Sequence, residues 1–293
     1  MKTRRGLIIG AGGRLGYTWS VCALHRFESM TGWDPRSADV LVGTSAGSLI
    51  ATLFGSGVGT ADLLAAQKRA ARRGARASEP SLPPPPRPRP LALRLFGEGL
   101  LGRQPPLVAL VGLLPEGRAQ DTWLSKSLER IVPAGSWVKH PRCWVVAMDC
   151  QDGQRAAFGR SDAPAASSHD AVRASCAVPG WFAPVRIGGR RYIDGGVVSP
   201  TSLDLVSEEG LDEVVVVSPL TSREPVPATS VGEALERAMR RAMSRTLDRE
   251  VALLESRGTR VIRIEPTAHE LKAMGPNFMD ARRQATVLDA WSS

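Results

Sequence analysis

Along this chain, short wholly apolar runs alternate with longer amphipathic stretches. Leu7–Ile9 predicts a first strand, and Gly16–Met30 a helix, with Trp19, Cys22, Ala23, Phe27 and Met30 on roughly one face. Val40–Val42 is apolar at every position, as a parallel strand covered on both faces should be. Ala46–Phe54 predicts a helix, and Ala61–Arg73 another with Thr60 as its N-cap. Further on, Arg118–Ile131 predicts a helix. Cys143–Met148 predicts a strand that pairs with Gln154–Phe158 across Gln151-Asp152-Gly153 as a hairpin. His169–Ala177 reads as a short helix stopped by Pro179, and Ala183–Ile187 and Arg191–Ile193 flank Gly188-Gly189 as a second hairpin. Val214–Val217 predicts a buried strand, Gly232–Ser256 one or two amphipathic helices, and Arg260–Ile264 a late strand, followed by two helical stretches. Strands alternating with helices predict an α/β fold with a mostly parallel central sheet and helices on its faces.

Residues 74–106 break the pattern. The run "RRGARASEPSLPPPPRPRP" holds too many prolines for a helix or an interior strand. It reads as an inserted surface loop, partly extended or disordered, with a helical turn at Leu91–Phe96. A proline-rich ligand for another protein and a cap over a functional site are the other readings of the same segment.

Composition narrows the class. The chain has 293 residues, 43% hydrophobic and 23% charged, with a formal net charge of +9. That suits a globular protein with a sizeable core. No apolar run approaches the ~18 residues of a transmembrane helix. The start, "MKTRRGLIIGAGGRLG", has basic residues before an apolar run, but the run soon meets Arg14 and no small-residue cleavage site follows, so a cytoplasmic location is expected. The basic balance suits anionic lipid headgroups at the inner membrane face, or reflects arginine-rich codon usage. The arginines are scattered and form no stripe, so no nucleic-acid partner is expected. Cys22, Cys143, Cys150 and Cys176 form no C-x-x-C pair and do not cluster with histidine, so neither a disulfide framework nor a metal site is expected.

The chemistry concentrates at three places. Gly43-Thr44-Ser45-Ala46-Gly47 is a G-x-S-x-G pattern between a buried strand and a helix, the setting of a nucleophile elbow. The flanking glycines let strand and helix pack closely, and the helix N-terminus favours negative charge near Ser45 Oγ. A serine nucleophile needs a base. None of His25, His140, His169 and His269 has a convincing setting; His269 alone lies in a late segment, within what reads as a first helical turn. Asp194, in "RYIDGGVVSP", ends an apolar strand before Gly195 and Gly196, which permit close backbone approach and positive φ. Burial there would raise its pKa toward a value useful in a base; a turn in which Asp194 caps its own backbone is the alternative. The third place is Gly10-Ala11-Gly12-Gly13, directly after the first strand. It approximates a dinucleotide fingerprint, but Leu15 stands where that fingerprint needs glycine, and the second strand ends in Ser45's elbow, where the fingerprint expects a ribose-binding acid. An elbow serine on the adjacent strand makes the loop amides better placed to hold a tetrahedral oxyanion than a phosphate. A non-catalytic nucleotide- or lipid-binding module using the same loop is the rival.

In this order, "AGGRLG", "GTSAG" and "DGG" resemble the G-G-G-x-R/K-G, G-x-S-x-G and D-G-G/A motifs of the patatin-like phospholipase family. The segment "DAVRASCAVPGWFAPVRIGGRRYIDGGVVSP" is also similar to the family's approach to its aspartate. The resemblance covers about residues 5–75 and 118–220, leaves out the proline-rich insertion, and is loose over the last seventy or so residues. It implies a three-layer α/β/α hydrolase domain over residues 1–293, with the insertion at about 74–106. It further implies a serine acyl hydrolase that needs no cofactor and cleaves fatty acyl esters of phospholipids or related lipids through an acyl-enzyme, with peripheral membrane contact. By resemblance Ser45 is the nucleophile, Asp194 the general base, and the amides of Gly12, Gly13 and Arg14 the oxyanion donors; Gly43, Gly47, Gly195 and Gly196 are motif glycines. The chain departs from the pattern at Ala11, where the family's first glycine stands, and at Arg14, where the basic residue comes one place early.

Overall fold

The computed structural model describes residues 3–74, 86–119, 128–224 and 231–291. Its frame is a sheet whose strand order is β10-β9-β1-β2-β5-β8-β7, with β6 on the free edge of β5. These strands are β1 (Arg5–Ile9), β2 (Val40–Thr44), β5 (Cys143–Asp149), β6 (Arg155–Phe158), β7 (Val185–Ile187), β8 (Arg190–Asp194), β9 (Glu213–Val217) and β10 (Arg260–Ile264). From β10 through β5 every neighbouring pair is parallel. β6 and β8 run antiparallel to β5, and β7 antiparallel to β8.

Strand side chains alternate between two cores, as the two-residue repeat requires. Leu7, Ile9, Leu41, Val145, Val215 and Val217 face one layer of helices. That layer comprises α1 (Gly13–Thr31), α2 (Ala46–Gly55), α3 (Thr60–Gly74), α6 (Ser168–Ser175), α8 (Ala268–Met274) and α9 (Gln284–Asp289). Ile8, Val40, Val42, Val146, Val214 and Val216 face Leu247, Val251 and Leu254 of the long α7 (Val231–Ser256). The result is a three-layer α/β/α arrangement with a mostly parallel central sheet.

The expected insertion differs from its sequence reading. Residues 75–85, which carry the first prolines of the proline-rich run, lie outside the described residues. From Pro86 on, the chain is folded: β3 (Arg87–Pro90) pairs with β4 (Pro115–Glu116), and between them α4 (Leu93–Leu100) packs against α5 (Pro106–Leu113). Prolines are tolerated in β3 because this two-stranded ribbon stands apart from the main sheet. Two close approaches hold the helices together: a Cβ on Gly99 would lie 2.2 Å from Ala109 Cβ, and one on Gly112 2.6 Å from the Ala92 carbonyl oxygen. Leu91, Leu95, Val108 and Val111 then form a small core with Met148, Cys150 and Ile193, against which Val197 and Val198 pack. The hairpin therefore sits on the segment that follows Asp194.

Smaller differences have local causes. α1 begins at Gly13, three residues before its sequence boundary, because the glycine loop supplies its own first turn. Thr60 opens α3, but its hydroxyl hydrogen-bonds with the Glu28 carboxylate and stands 3.1 Å from His25 Nδ1. Of the helix expected at Arg118–Ile131, residues 120–127 lie outside the described set.

Candidate active site

β2 delivers Ser45. Thr44, its last residue, pairs with Val146 of β5, and the chain then turns sharply into α2. Ser45 occupies the turn at φ 54° and ψ −124°, a left-handed conformation that costs a non-glycine residue on the order of 1–3 kcal/mol. Hydrogen bonds hold it there. Its N–H donates to Ser175 Oγ at 2.8 Å, and the Ser175 hydroxyl donates onward to the Val146 carbonyl at 2.6 Å. The Ser45 carbonyl accepts the Ser48 hydroxyl at 2.6 Å and the Ser48 N–H at 2.8 Å. The motif glycines are needed for close approach. A Cβ on Gly47 would lie 2.0 Å from the Ile9 carbonyl oxygen, and one on Gly43 2.4 Å from the Gly47 carbonyl oxygen. Any side chain at either position would push α2 away from the sheet.

β5 then fixes where Asp194 falls. β6 occupies one edge of Val145–Met148, so β2 and β8 must share the other edge, end to end. Thr44 ends β2 opposite Val146, and Asp194 ends β8 opposite Ala147, the next residue. Ser45 and Asp194 meet at that junction, although 149 positions separate them in sequence. The Gly196 N–H donates to Asp194 Oδ1 at 2.8 Å. Asp194 is buried, with 6% of its surface exposed. Burial pushes its pKa up to about 6, against the lowering effect of the nearby Ser45 hydroxyl and the Gly196 N–H. Gly195 and Gly196 do not adopt the positive φ their sequence allows. They permit contact instead: a Cβ on Gly195 would lie 2.7 Å from the Val146 carbonyl oxygen, and one on Gly196 2.9 Å from Ala11 Cβ. Ala11 is thus the point at which the Asp-Gly-Gly turn touches the glycine loop.

That loop leaves β1 beside the elbow, since Ile9 pairs with Gly43. Three of its amides are engaged: Gly10 N–H with the Val217 carbonyl at 2.9 Å, Ala11 N–H with the Pro200 carbonyl at 2.8 Å, and Leu15 N–H with the Phe278 carbonyl at 2.9 Å. Among the described residues the amides of Gly12 and Gly13 meet no backbone carbonyl. Gly13 has φ 56°, and a Cβ there would strike Phe278 at 2.6 Å and Met279 Sδ at 2.8 Å.

None of the histidines hydrogen-bonds with Ser45 or Asp194. His25 meets Thr60 Oγ1 at 3.1 Å, His140 Nε2 meets the Ala38 carbonyl at 2.8 Å, and the buried Nε2 of His169 has no partner among the described residues. His269 lies in the first turn of α8, whose capping box is built from Thr267 and Glu270. The four cysteines are free. Among the described residues no group of three or more His, Cys, Asp or Glu is arranged to hold a metal ion, and no helix is long and apolar enough to cross a membrane.

Sequence reasoning missed Ser175, the Pro200 carbonyl and the Phe278–Met279 segment. Ser175 sits in the "RASCAVPG" stretch that carried part of the family resemblance, and that was its only signal. The other two act through backbone carbonyls or packing, which leave no mark on residue type.

An elbow serine and a buried carboxylate thus meet at one junction of a three-layer α/β/α sheet, beside a glycine loop. The profile of the patatin-like phospholipase family matches residues 7–206, and the chain belongs to that family. Membership places it among lipid acyl hydrolases in general. Among solved structures it is similar to VipD from Legionella pneumophila, at 16% identity and a TM-score of 0.40, covering 99% of this chain and 67% of that one.

Proposed function

We propose that this chain hydrolyses fatty acyl esters of phospholipids or related lipids by a Ser45–Asp194 dyad. The observation that carries the reading is the junction on β5 that brings Ser45 beside Asp194, a buried carboxylate whose pKa is raised to about 6. Such a group is ionised at neutral pH and still basic enough to accept a proton during attack. In the first half-reaction Asp194 takes the Ser45 proton as Oγ bonds to the ester carbonyl carbon. The oxyanion accepts hydrogen bonds from the Gly12 and Gly13 amides, with Arg14's amide as a third donor, and the partial positive charge at the start of α2 adds to their field. The tetrahedral species collapses, the C–O bond to the leaving alcohol breaks, and Asp194 returns the proton to that alcohol. In the second half Asp194 takes a proton from water, the hydroxide attacks the acyl-enzyme, and Ser45 leaves with the proton as the fatty acid is released.

The test is covalent. A fluorophosphonate probe should label the protein at Ser45, as located by peptide mass mapping, and the unlabelled protein should release fatty acid from phospholipid in detergent micelles. Nucleotide-dependent thermal stabilisation without labelling of Ser45 would replace this reading with that of a binding module.

A lipid substrate requires an approach to lipid, and the α4–α5 hairpin supplies a suitable face. Six of the eight large apolar side chains that stand exposed among the described residues lie between Leu93 and Leu114; Leu100 is 73% exposed, Leu101 67% and Leu110 58%. From Pro86 to Ala119 the sequence carries five arginines against two glutamates, which suits an anionic surface. We therefore propose that this face rests on anionic bilayers. Partial burial of a leucine contributes about 1 kcal/mol, so replacing Leu100, Leu101 and Leu110 together by serine should weaken binding to phosphatidylglycerol-containing vesicles by roughly 100-fold. Turnover of a water-soluble short-chain ester should stay within about twofold. Unchanged vesicle sedimentation of the triple variant would remove this face from the proposal and leave the dyad untouched.

A further inference from the structure

Outside the dyad, a second buried carboxyl group is Glu250 on α7, a helix beyond the residues that the family profile matches. It is 7% exposed and gathers three donors. The Ser199 hydroxyl donates to Oε1 at 2.5 Å; the Thr201 hydroxyl and the Leu203 N–H donate to Oε2 at 2.7 and 3.1 Å. All three belong to the segment that follows Asp194-Gly195-Gly196. The segment is tightened further by Ser199 Oγ, which accepts the N–H groups of Thr201 at 3.2 Å and Ser202 at 2.8 Å. Ser202 is the second non-glycine residue held at positive φ, at 57°. Three hydrogen-bonding side chains and a strained backbone in a fully buried turn indicate a conformation imposed from outside the turn.

The carbonyls of this turn reach the proposed catalytic elements. The Pro200 carbonyl accepts the Ala11 N–H at 2.8 Å, and the Thr201 carbonyl accepts the Thr44 hydroxyl at 3.4 Å. Ala11 directly precedes the Gly12 and Gly13 amides, and Thr44 directly precedes Ser45. The same helix grips the loop on the far side of β1, where Arg240 Nη1 donates to the Pro219 carbonyl at 2.8 Å. Pro219 in turn packs where a Cβ on Gly12 would stand, 2.6 Å away. The glycine loop is therefore held between two turns, both fastened to α7, and the Glu250 turn alone also touches the elbow.

The groups facing Glu250 fit a fixed anchor. Asp204, in the turn of Leu203–Val206, lies near it and is held by Arg155 of β6 through two hydrogen bonds of 2.7 and 2.5 Å. Burial and the nearby Asp204 charge raise the Glu250 pKa, whereas the Arg155 contacts hold that of Asp204 low despite its own burial.

We propose that Glu250 is a positioning residue: from α7 it fixes the Ser199–Leu203 turn, whose Pro200 and Thr201 carbonyls set the Gly12–Gly13 amides and the elbow in mutual register for stabilising the oxyanion. The proposal rests on the dyad reading and adds to it. Misplaced oxyanion donors lower the rate of the chemical step and leave ground-state binding intact.

The experiment measures full-length variants on a soluble p-nitrophenyl ester, with rates expressed per serine titrated by the fluorophosphonate, so that unfolded molecules do not count. Glu250→Ala leaves three buried donors without an acceptor. It should lower kcat by about 10- to 100-fold, within the range of losing one oxyanion donor, with KM within about threefold, and should slow the probe's labelling rate in parallel. Glu250→Gln keeps an acceptor for the turn at nearly the same shape, and should restore kcat to within about fivefold of wild type. Thr201→Val removes one donor at nearly constant volume; it should lower kcat by a few fold in the same direction, and it decides the matter where Glu250→Ala does not fold. Wild-type kcat and labelling rate in folded Glu250→Ala, or in Thr201→Val, would overturn the positioning role while leaving Ser45 and Asp194 in place. Wild-type protein inert to both ester and probe would overturn the dyad reading, and this proposal with it.

Discussion

Ser45→Ala should lower hydrolysis of a p-nitrophenyl acyl ester by about 10³-fold or more, with the protein still folded and its affinity for lipid unchanged. The size of the effect follows from the elbow. In the proposed mechanism the hydroxyl is the nucleophile, and without it only binding and the oxyanion donors can accelerate attack by water. Folding should survive because the bonds that maintain the strained turn use the Ser45 backbone: its N–H to Ser175, its carbonyl to Ser48. Alanine keeps both. The control is the set of single substitutions at His25, His140, His169 and His269. Each should retain substantial activity per active serine, since none hydrogen-bonds with Ser45 or Asp194. A folded histidine variant as inactive as Ser45→Ala would replace the dyad with a triad.

What could be read from sequence and what could not divides by the range of the interaction. Val40–Val42 and Val214–Val217 announce themselves because a strand covered on both faces must be apolar, and that requirement is local. The elbow is legible for a similar reason: Gly43 and Gly47 lie four positions apart, and their close approach leaves a five-residue signature. Asp194 is legible as a candidate, yet what brings it to Ser45 is the sharing of one edge of β5 by β2 and β8, a matter of register across the sheet. The α4–α5 hairpin was hidden by its composition. Prolines and arginines mark its entrance, and "PLVALVGL" is apolar on every side, so no helical period stands out against the loop signal. Glu250 is invisible in the same sense. On α7 it reads as one more charge on an amphipathic helix, and only the Ser199–Leu203 turn, about fifty residues earlier, shows that it points inward.

Asp194→Asn should be almost as damaging as loss of the nucleophile, with a loss of about 10³-fold or more, toward the upper end of what a positioned base contributes. Asparagine is nearly isosteric and its Oδ1 can still accept the Gly196 N–H, now 2.8 Å from the carboxylate, so the turn need not move. What changes is that the group cannot take the Ser45 proton, and its amide would offer a hydrogen to the hydroxyl it should deprotonate. In the wild type, kcat/KM for a soluble ester should rise tenfold per pH unit on the acid side, turn over near pH 6 and stay level above, because the ionised carboxylate is the active form. Stability should follow the opposite course. A carboxyl group whose folded pKa lies above its value of 3.8 in the unfolded chain contributes stability that is fully present below pH 3.8 and is lost as pH rises through about 6. The roughly two-unit difference corresponds to on the order of 3 kcal/mol at neutral pH. Asp194→Asn removes that penalty. The inactive variant should therefore unfold at higher denaturant concentration than wild type at pH 8, and at about the same concentration at pH 4. Retained activity would show that Asp194 is not the base. Equal stability at pH 8 would show that the carboxylate is solvated and carries no raised pKa, and would undo the turnover near pH 6 as well.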